Sequence, residues 1–254
     1  MRGELRSRNR PGPTDGTANP HHPTNSPTNP IHQFHQLHQF HQILIPLLRH
    51  EVHAARTLPL LCGVALGVTV CAVPVVFSLR LDLGAAAVLL HLTAVLGGLG
   101  LAFLLDDPAT ATTAMCPSPW WLRRSLRITT GLLALTPAWI LNTALVHHAL
   151  PPDTRPALPR GDLAVEALAL ALLVVALALL GLRLTRGGYG SQVAASGLVV
   201  VTLTFILLPQ SLEFFTAPTD PTRWHNAALR WRALSLTALL ATLTLLPRQP
   251  TPRR

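Results

Sequence analysis

The chain has 254 residues, of which 49% are hydrophobic and only 12% are charged, and its formal net charge is +9. Soluble domains usually carry about a quarter charged residues, so this composition excludes an ordinary soluble protein and indicates a membrane protein. A basic balance of this size would suggest a nucleic-acid partner in a soluble chain, but here membrane topology explains it and no nucleic acid is expected.

The first 43 residues form a polar extension that we expect to be disordered. Its last part, residues 31–43, repeats every three residues and places four histidines in register: His32, His35, His38 and His41. Neighbouring histidines at this spacing can share a metal ion. No carboxylate or cysteine completes a ligand shell, so we favour a low-complexity tract without metal. A tract this regular also suggests an extension beyond the functional unit.

Residues 44–56 are amphipathic, with Leu44, Leu47, Leu48 and Val52 near one side of a helix. The pattern is typical of an interfacial helix that lies on the membrane surface before the first span. A simple N-terminal extension of that span fits the pattern equally well. Both interpretations anchor the chain where it enters the bilayer.

Six hydrophobic runs follow, and about 20 residues of helix cross a bilayer. We predict spans at 57–79, 83–105, 128–150, 163–182, 192–212 and 233–247. The sixth is the weakest, because only 15 uncharged residues separate Arg232 from Arg248. The predicted fold is therefore all-α: a polytopic bundle of six transmembrane helices over 44–247, with a short basic tail at 248–254.

Small residues and prolines within the spans predict how the helices pack. Gly63 and Gly67 form a GxxxG pattern, which allows two membrane helices to approach closely. Pro74 and Pro137 are expected to kink or break their helices.

Two ionisable residues lie within the spans, and such residues are functional candidates by default. Glu166 is only one turn from Asp162, so we expect its carboxylate to reach the membrane interface. His91 has no evident titratable neighbour deep in another span, so we expect a neutral packing residue rather than part of a proton relay.

Arginines near the span ends predict the orientation. Ten fall on the side of the N-terminus and six on the other, which places both termini in the cytoplasm by the positive-inside rule. The loop from Asp106 to Arg127, DDPATATTAMCPSPWWLRRSLR, then faces the cytoplasm. Pro108 favours a helix start with Asp106 or Asp107 at its N-terminus, where negative charge is favourable.

The chain contains no P-loop, dinucleotide fingerprint, HExxH or GxSxG motif. Its 11 acidic residues show no pairing typical of general acid and base catalysis. We therefore expect no enzyme activity and no cofactor, and infer that any energy source is another polypeptide.

The order of these elements resembles the six-span permease subunits of ABC-2-type transporters. All 20 basic residues are arginine and none is lysine, while Ala, Leu and Pro are abundant, a composition that resembles actinobacterial proteins. In the permease family an amphipathic helix precedes the first span, a cytoplasmic loop between spans two and three docks on an ATP-binding subunit, and a segment between spans five and six closes the outer gate. Residues 44–56, 106–127 and 213–232 look like these three elements. The Asp-Pro pair departs from the family, where a glutamate followed by Gly-Thr is more usual.

The resemblance implies a permease in the cell membrane that exports an unidentified substrate, partnered by an ATP-binding cassette subunit and by a second permease in a homodimer or heterodimer. The coupling residues it implies are Asp106, Asp107, Pro108, Pro117, Arg123, Arg124 and Arg127. The alternative is a non-transport integral membrane protein, such as an anchor, a sensor or an immunity protein, in which the arginines only flank a span.

Overall fold

The computed structural model describes residues 57–105, 120–185, 189–209 and 212–246, and for Trp120 and Arg123 the backbone only. Within these ranges the chain is helical and has no β-strand, so the predicted all-α fold is confirmed. The six long helices are α1 (Thr57–Val76), α2 (Leu83–Leu104), α3 (Trp120–Ala149), α4 (Arg160–Leu184), α5 (Gly190–Leu207) and α6 (Pro221–Leu245). A one-turn 3₁₀ helix, Arg155–Ala157, precedes α4.

Several sequence predictions fall outside the described residues. These are the extension at 1–43 with its histidine repeat, the interfacial helix at 44–56, most of the coupling loop at 106–119, and the basic tail at 248–254.

Five of the described helices are long and apolar enough to cross a membrane: α1, α2, α4, α5 and the Arg124–Ala149 part of α3. The chain is therefore a multi-pass membrane protein. The exception is α6, because its first half carries Arg223, Arg230 and Arg232. A sixth helix exists where one was predicted, but its composition does not mark it as a span.

Helix α6 begins 12 residues earlier than the predicted start at Ala233. Asp220 caps it by accepting hydrogen bonds of 3.1 Å from the backbone N–H groups of both Thr222 and Arg223. Pro221 occupies the first turn, where its missing N–H costs nothing and its fixed φ suits a helix. The prediction placed the start of α6 after the last arginine of this region, at Ala233. The helix instead starts where Asp220 caps its first turn, and the arginines lie within it. The predicted loop at 213–232 is consequently half helix.

Helices α2 and α4 form the centre of the bundle. In their most apolar 18-residue stretches 50% of α2 and 61% of α4 residues are buried, against 22% or less in α1, α3 and α5. The outer helices expose large apolar side chains, such as Leu58 on α1 and Leu133 on α3, as lipid-facing helices do. An ionisable residue on the buried face of α2 or α4 is therefore enclosed by protein.

Glycines bring α1 and α2 into backbone contact. A Cβ on Gly63 would lie 2.6 Å from the carbonyl oxygen of Leu96, and a Cβ on Gly100 would lie 2.8 Å from the Cα of Leu60. Real side chains do not approach this closely, so the predicted close packing is confirmed at Gly63, whereas Gly67 makes ordinary contacts, with its nearest neighbour, the Thr93 Cβ, 3.4 Å from an added Cβ. Helix α3 continues through Pro137, so this proline does not break it, whereas α1 ends at Val76, two residues after Pro74.

The two ends of the bundle carry different connections. At one end, named here the Asp162 end, α1 joins α2, α3 joins α4 and α5 joins α6; the backbone N–H of Leu81 donates to the carbonyl of Ala149 there, at 3.3 Å. At the other, named the Arg127 end, the Arg183 guanidinium on α4 donates to the carbonyls of Thr244 and Leu245 at the end of α6.

Candidate functional site

The most unusual feature inside the bundle is a contact between His91 on α2 and Glu166 on α4. The imidazole Nε2 lies 2.9 Å from the carboxylate Oε1. The residues are only 9% and 2% exposed. The short distance does not come with the alignment of a directed hydrogen bond, since neither atom has a hydrogen-bond partner of good geometry. The contact is thus an electrostatic pairing in a protein-enclosed position.

Helix geometry places this pair below the surface of the bundle. His91 is the ninth residue of α2 and Glu166 the seventh of α4, which at 1.5 Å per residue puts them about 12 and 9 Å from the starts of their helices. Both helices start at the Asp162 end. The expectation that Glu166 reaches the interface is therefore wrong, as is the expectation that His91 has no titratable neighbour. Both expectations used only the positions of neighbouring residues in the same helix, and these positions do not show that α2 and α4 are adjacent.

Pairing makes these two groups tolerable inside a membrane protein. A single buried charge is costly, whereas an imidazolium beside a carboxylate, or a neutral imidazole beside a carboxylic acid, carries no net charge. Removal of either group leaves the other buried without its partner.

The connection between α5 and α6 covers the pair with aromatic rings. The Phe215 ring centroid lies 4.9 Å from that of His91. Phe214 stacks on Phe205 at 4.0 Å with an interplanar angle of 5°, and both meet the edge of Trp231. We name Phe205, Phe214, Phe215 and Trp231 the aromatic cluster.

Side chains of α6 hold this connection inside the bundle. The Trp231 indole donates a 2.9 Å hydrogen bond to the carbonyl of Phe214, and the Arg230 guanidinium donates a 2.7 Å bond to the carbonyl of Glu213. Non-helical backbone is tolerated at membrane depth only where protein satisfies its polar groups. The residues 213–215 thus form a cap that closes the Asp162 end of the bundle above His91.

A small void beside Glu166 leads towards the surface. It has a volume of about 10 Å³ and is lined by Asp162, Glu166 and Trp224 among others, which is close to the minimum that holds one water molecule. Asp162, one helical turn before Glu166, accepts hydrogen bonds from Trp224 at 3.1 Å and Arg232 at 2.8 Å. Its side chain is 29% exposed, so two carboxylates on successive turns connect the surface with the buried pair.

A separate apolar groove lies between α1, α2, α3 and α4 and has a volume of about 190 Å³. Half of its lining residues are glycine or alanine, among them Gly63, Gly67, Gly97, Ala164, Ala167 and Ala171. Three polar side chains also line it: Thr93, Thr136 and Asn142. Both threonine hydroxyls donate to carbonyls of their own helices, whereas the Oδ1 of Asn142 is a buried acceptor without a hydrogen-bond partner in the described part of the chain.

The predicted coupling residues are only partly described. Asp106, Asp107, Pro108 and Pro117 lie outside the described residues. Arg123, Arg124 and Arg127 lie in the first three turns of α3, which is continuous to Ala149. Arg124 is half-buried and Arg127 is only 7% exposed, so the arginine cluster belongs partly to the packed end of the bundle.

No group of three or more His, Cys, Asp or Glu residues in the described ranges is arranged to hold a metal ion.

No family model, curated protein or solved structure matches the chain.

Proposed function

We propose that the chain is the membrane-spanning permease subunit of an ABC-2-type transporter and works with a separate ATP-binding subunit. The observation that carries the proposal is the continuity of α3. This helix starts at Trp120, inside the segment 106–127 interpreted as the coupling loop, so residues 120–127 of that segment are helical, and it ends at Ala149 at the opposite end of the bundle. A partner that moves the loop would move this helix.

The length and packing of α3 support such a role. Its 30 residues extend about 45 Å, longer than the roughly 30 Å hydrocarbon core. Arg127 is buried at the end of the bundle, and Gly131 packs so closely on α2 that a Cβ there would lie 2.7 Å from Leu104 Cδ2. The start of α3 therefore packs closely on a central helix, which would couple the movements of the two.

The cap at the Asp162 end supplies the second element that a transporter needs. Residues 213–215 close that end above His91 and Glu166, and their backbone is held only by side chains of α6 in the contacts described above. In the proposed orientation the Arg127 end faces the cytoplasm and the cap faces the exterior. Displacement of α2 by α3 would then disturb the cap through the His91–Phe215 contact.

Copurification with an ATP-binding subunit tests the proposal. The tagged chain is expressed with the ATP-binding cassette proteins of its source genome, extracted in mild detergent and analysed by mass spectrometry, and ATPase activity is measured with and without it. We expect one such subunit to copurify and its ATPase rate to rise. The variants Arg124→Glu and Arg127→Glu should reduce that stimulation about tenfold or more.

The matched control is Arg80→Glu, an exposed arginine in the α1–α2 connection at the opposite end, which should leave stimulation unchanged. An intact helical protein that captures no ATP-binding subunit would overturn the proposal and favour the non-transport alternative. Unchanged stimulation in both α3 variants would overturn the coupling role.

A further inference from the structure

The apolar groove between α1, α2, α3 and α4 has the composition of a small-molecule site. Apart from three polar side chains its lining is apolar, and half of the lining residues are glycine or alanine. Ligand pockets combine apolar walls with a few placed polar groups in this way. The site is separate from the His91–Glu166 pair, whose residues do not line it.

Asn142 is the polar group that points to a ligand. It lies on α3, is only 4% exposed, and its Oδ1 has no hydrogen-bond partner in the described part of the chain. Its Nδ2 would lie 3.6 Å from a Cβ on Gly67, so the amide faces the α1 wall of the groove. An unpaired carboxamide oxygen inside a membrane protein is unfavourable, and a bound molecule that donates a hydrogen bond to the Asn142 Oδ1 would relieve that cost.

The volume limits the occupant. A cavity of about 150 Å³ holds benzene, so about 190 Å³ accommodates one ring or a short chain with a small substituent. A helix from a second copy is about 10 Å wide and does not fit. A plain lipid acyl chain fits, but it leaves the Asn142 amide unpaired.

We propose that this groove binds one small apolar molecule that carries a hydroxyl group, with the hydroxyl paired to the Asn142 amide and the apolar body against the glycine and alanine walls. The site does not depend on the transport proposal, since binding requires this chain only. It would remain valid if no ATP-binding subunit copurified.

Trp139 gives a direct readout, because it lines the groove. The probes are 4-bromobenzyl alcohol and 1-bromo-4-ethylbenzene, which have nearly the same shape but differ in the hydroxyl, and bromine quenches nearby tryptophan fluorescence. The full chain is placed in phosphatidylcholine nanodiscs, and each probe is compared at equal measured concentration in the bilayer. Subtraction of the Trp139→Phe variant removes quenching of the other tryptophans.

We expect the Trp139 signal to saturate with the alcohol at a roughly 3- to 10-fold lower concentration than with the ethyl compound, the ratio that one neutral hydrogen bond provides. Asn142→Leu should abolish the difference between the probes. Ala167→Leu, which fills the groove from α4, should abolish saturation with both. The matched control is Ala144→Leu, an exposed position on α3 outside the groove, which should change neither.

Three results would overturn the proposal: quenching that rises linearly without saturation, equal affinity for the two probes in the unmodified chain, or an unchanged preference in Asn142→Leu. The first would mean partitioning into lipid only. If Asn142→Leu does not fold, the probe preference of the unmodified chain and the Ala167→Leu result still decide between binding and partitioning.

Discussion

The indole nitrogen of Trp231 donates a 2.9 Å hydrogen bond to the carbonyl of Phe214, 17 residues earlier in the chain. This bond fixes the cap to α6, and the rest of the aromatic cluster packs around it. Trp231 itself is 2% exposed, so its N–H has no access to water as an alternative partner.

Trp231→Phe should destabilise the protein by about 1–3 kcal/mol, because the buried carbonyl of Phe214 loses its donor while most ring packing remains. Thermal unfolding in a fixed detergent measures the loss. Trp121→Phe, at a position that is 47% exposed, is the matched control. Equal unfolding midpoints for the two variants would show that the bond does not hold the cap.

The His91–Glu166 pair should behave as a coupled unit. Glu166→Leu or His91→Leu leaves one ionisable group buried without its partner and should cost about 3–5 kcal/mol. The double variant removes both groups and should be more stable than either single variant. A double-mutant cycle compares the unfolding midpoints of the unmodified chain, the two single variants and the double variant. A loss of stability in the double variant that equals the sum of the two single losses would contradict the interaction.

The Asp162–Arg232 contact should contribute little and should depend on salt. The two side chains are 29% and 55% exposed, so water screens their charges. We expect Asp162→Asn to cost about 1 kcal/mol or less at low salt and still less at high salt. Asp153→Asn, exposed in the α3–α4 connection, is the control. A loss that is large and independent of salt would show that the carboxylate acts as a buried group.

Alanine substitutions at two glycines should differ in their effect on stability, because one glycine contacts the backbone of a neighbouring helix and the other makes ordinary side-chain contacts. Gly100→Ala places its Cβ 2.8 Å from the Cα of Leu60, so α1 and α2 must move apart, at a cost of about 1–3 kcal/mol. Gly67→Ala meets its nearest atom, the Thr93 Cβ, at 3.4 Å and should be nearly neutral. Thermal unfolding of both variants in the same detergent tests this order, which equal stabilities would contradict.

The predicted orientation is open to cysteine labelling. In a chain whose native cysteines are replaced by alanine, Asp153→Cys at the Asp162 end should react with a membrane-impermeant maleimide added to intact cells. Tyr189→Cys, exposed in the α4–α5 connection, should react only after the cells are opened. The reverse pattern would invert the topology and place the cap in the cytoplasm.

Hydrophobic runs predicted the described helices well where the surroundings are uniform. The predicted and observed starts agree at Thr57 and Leu83, because an apolar run long enough to span the bilayer is stable there as a helix. The start of α6 was not predicted because its first turns contain arginines, and a charged stretch between hydrophobic runs was interpreted as a loop. The cap at Asp220 sets the start of the helix. The His91–Glu166 contact was missed because two ionisable residues 75 positions apart, from 91 to 166, show no signal until the adjacency of α2 and α4 is known.

The proline within α3 has a consequence for the groove. Proline removes one backbone hydrogen bond from a helix interior and makes that turn the easiest place to bend. Pro137 lies between Thr136 and Ala138, which both line the groove. Any bending of α3 would therefore be concentrated where the helix lines the groove, and a molecule bound in the groove would oppose it.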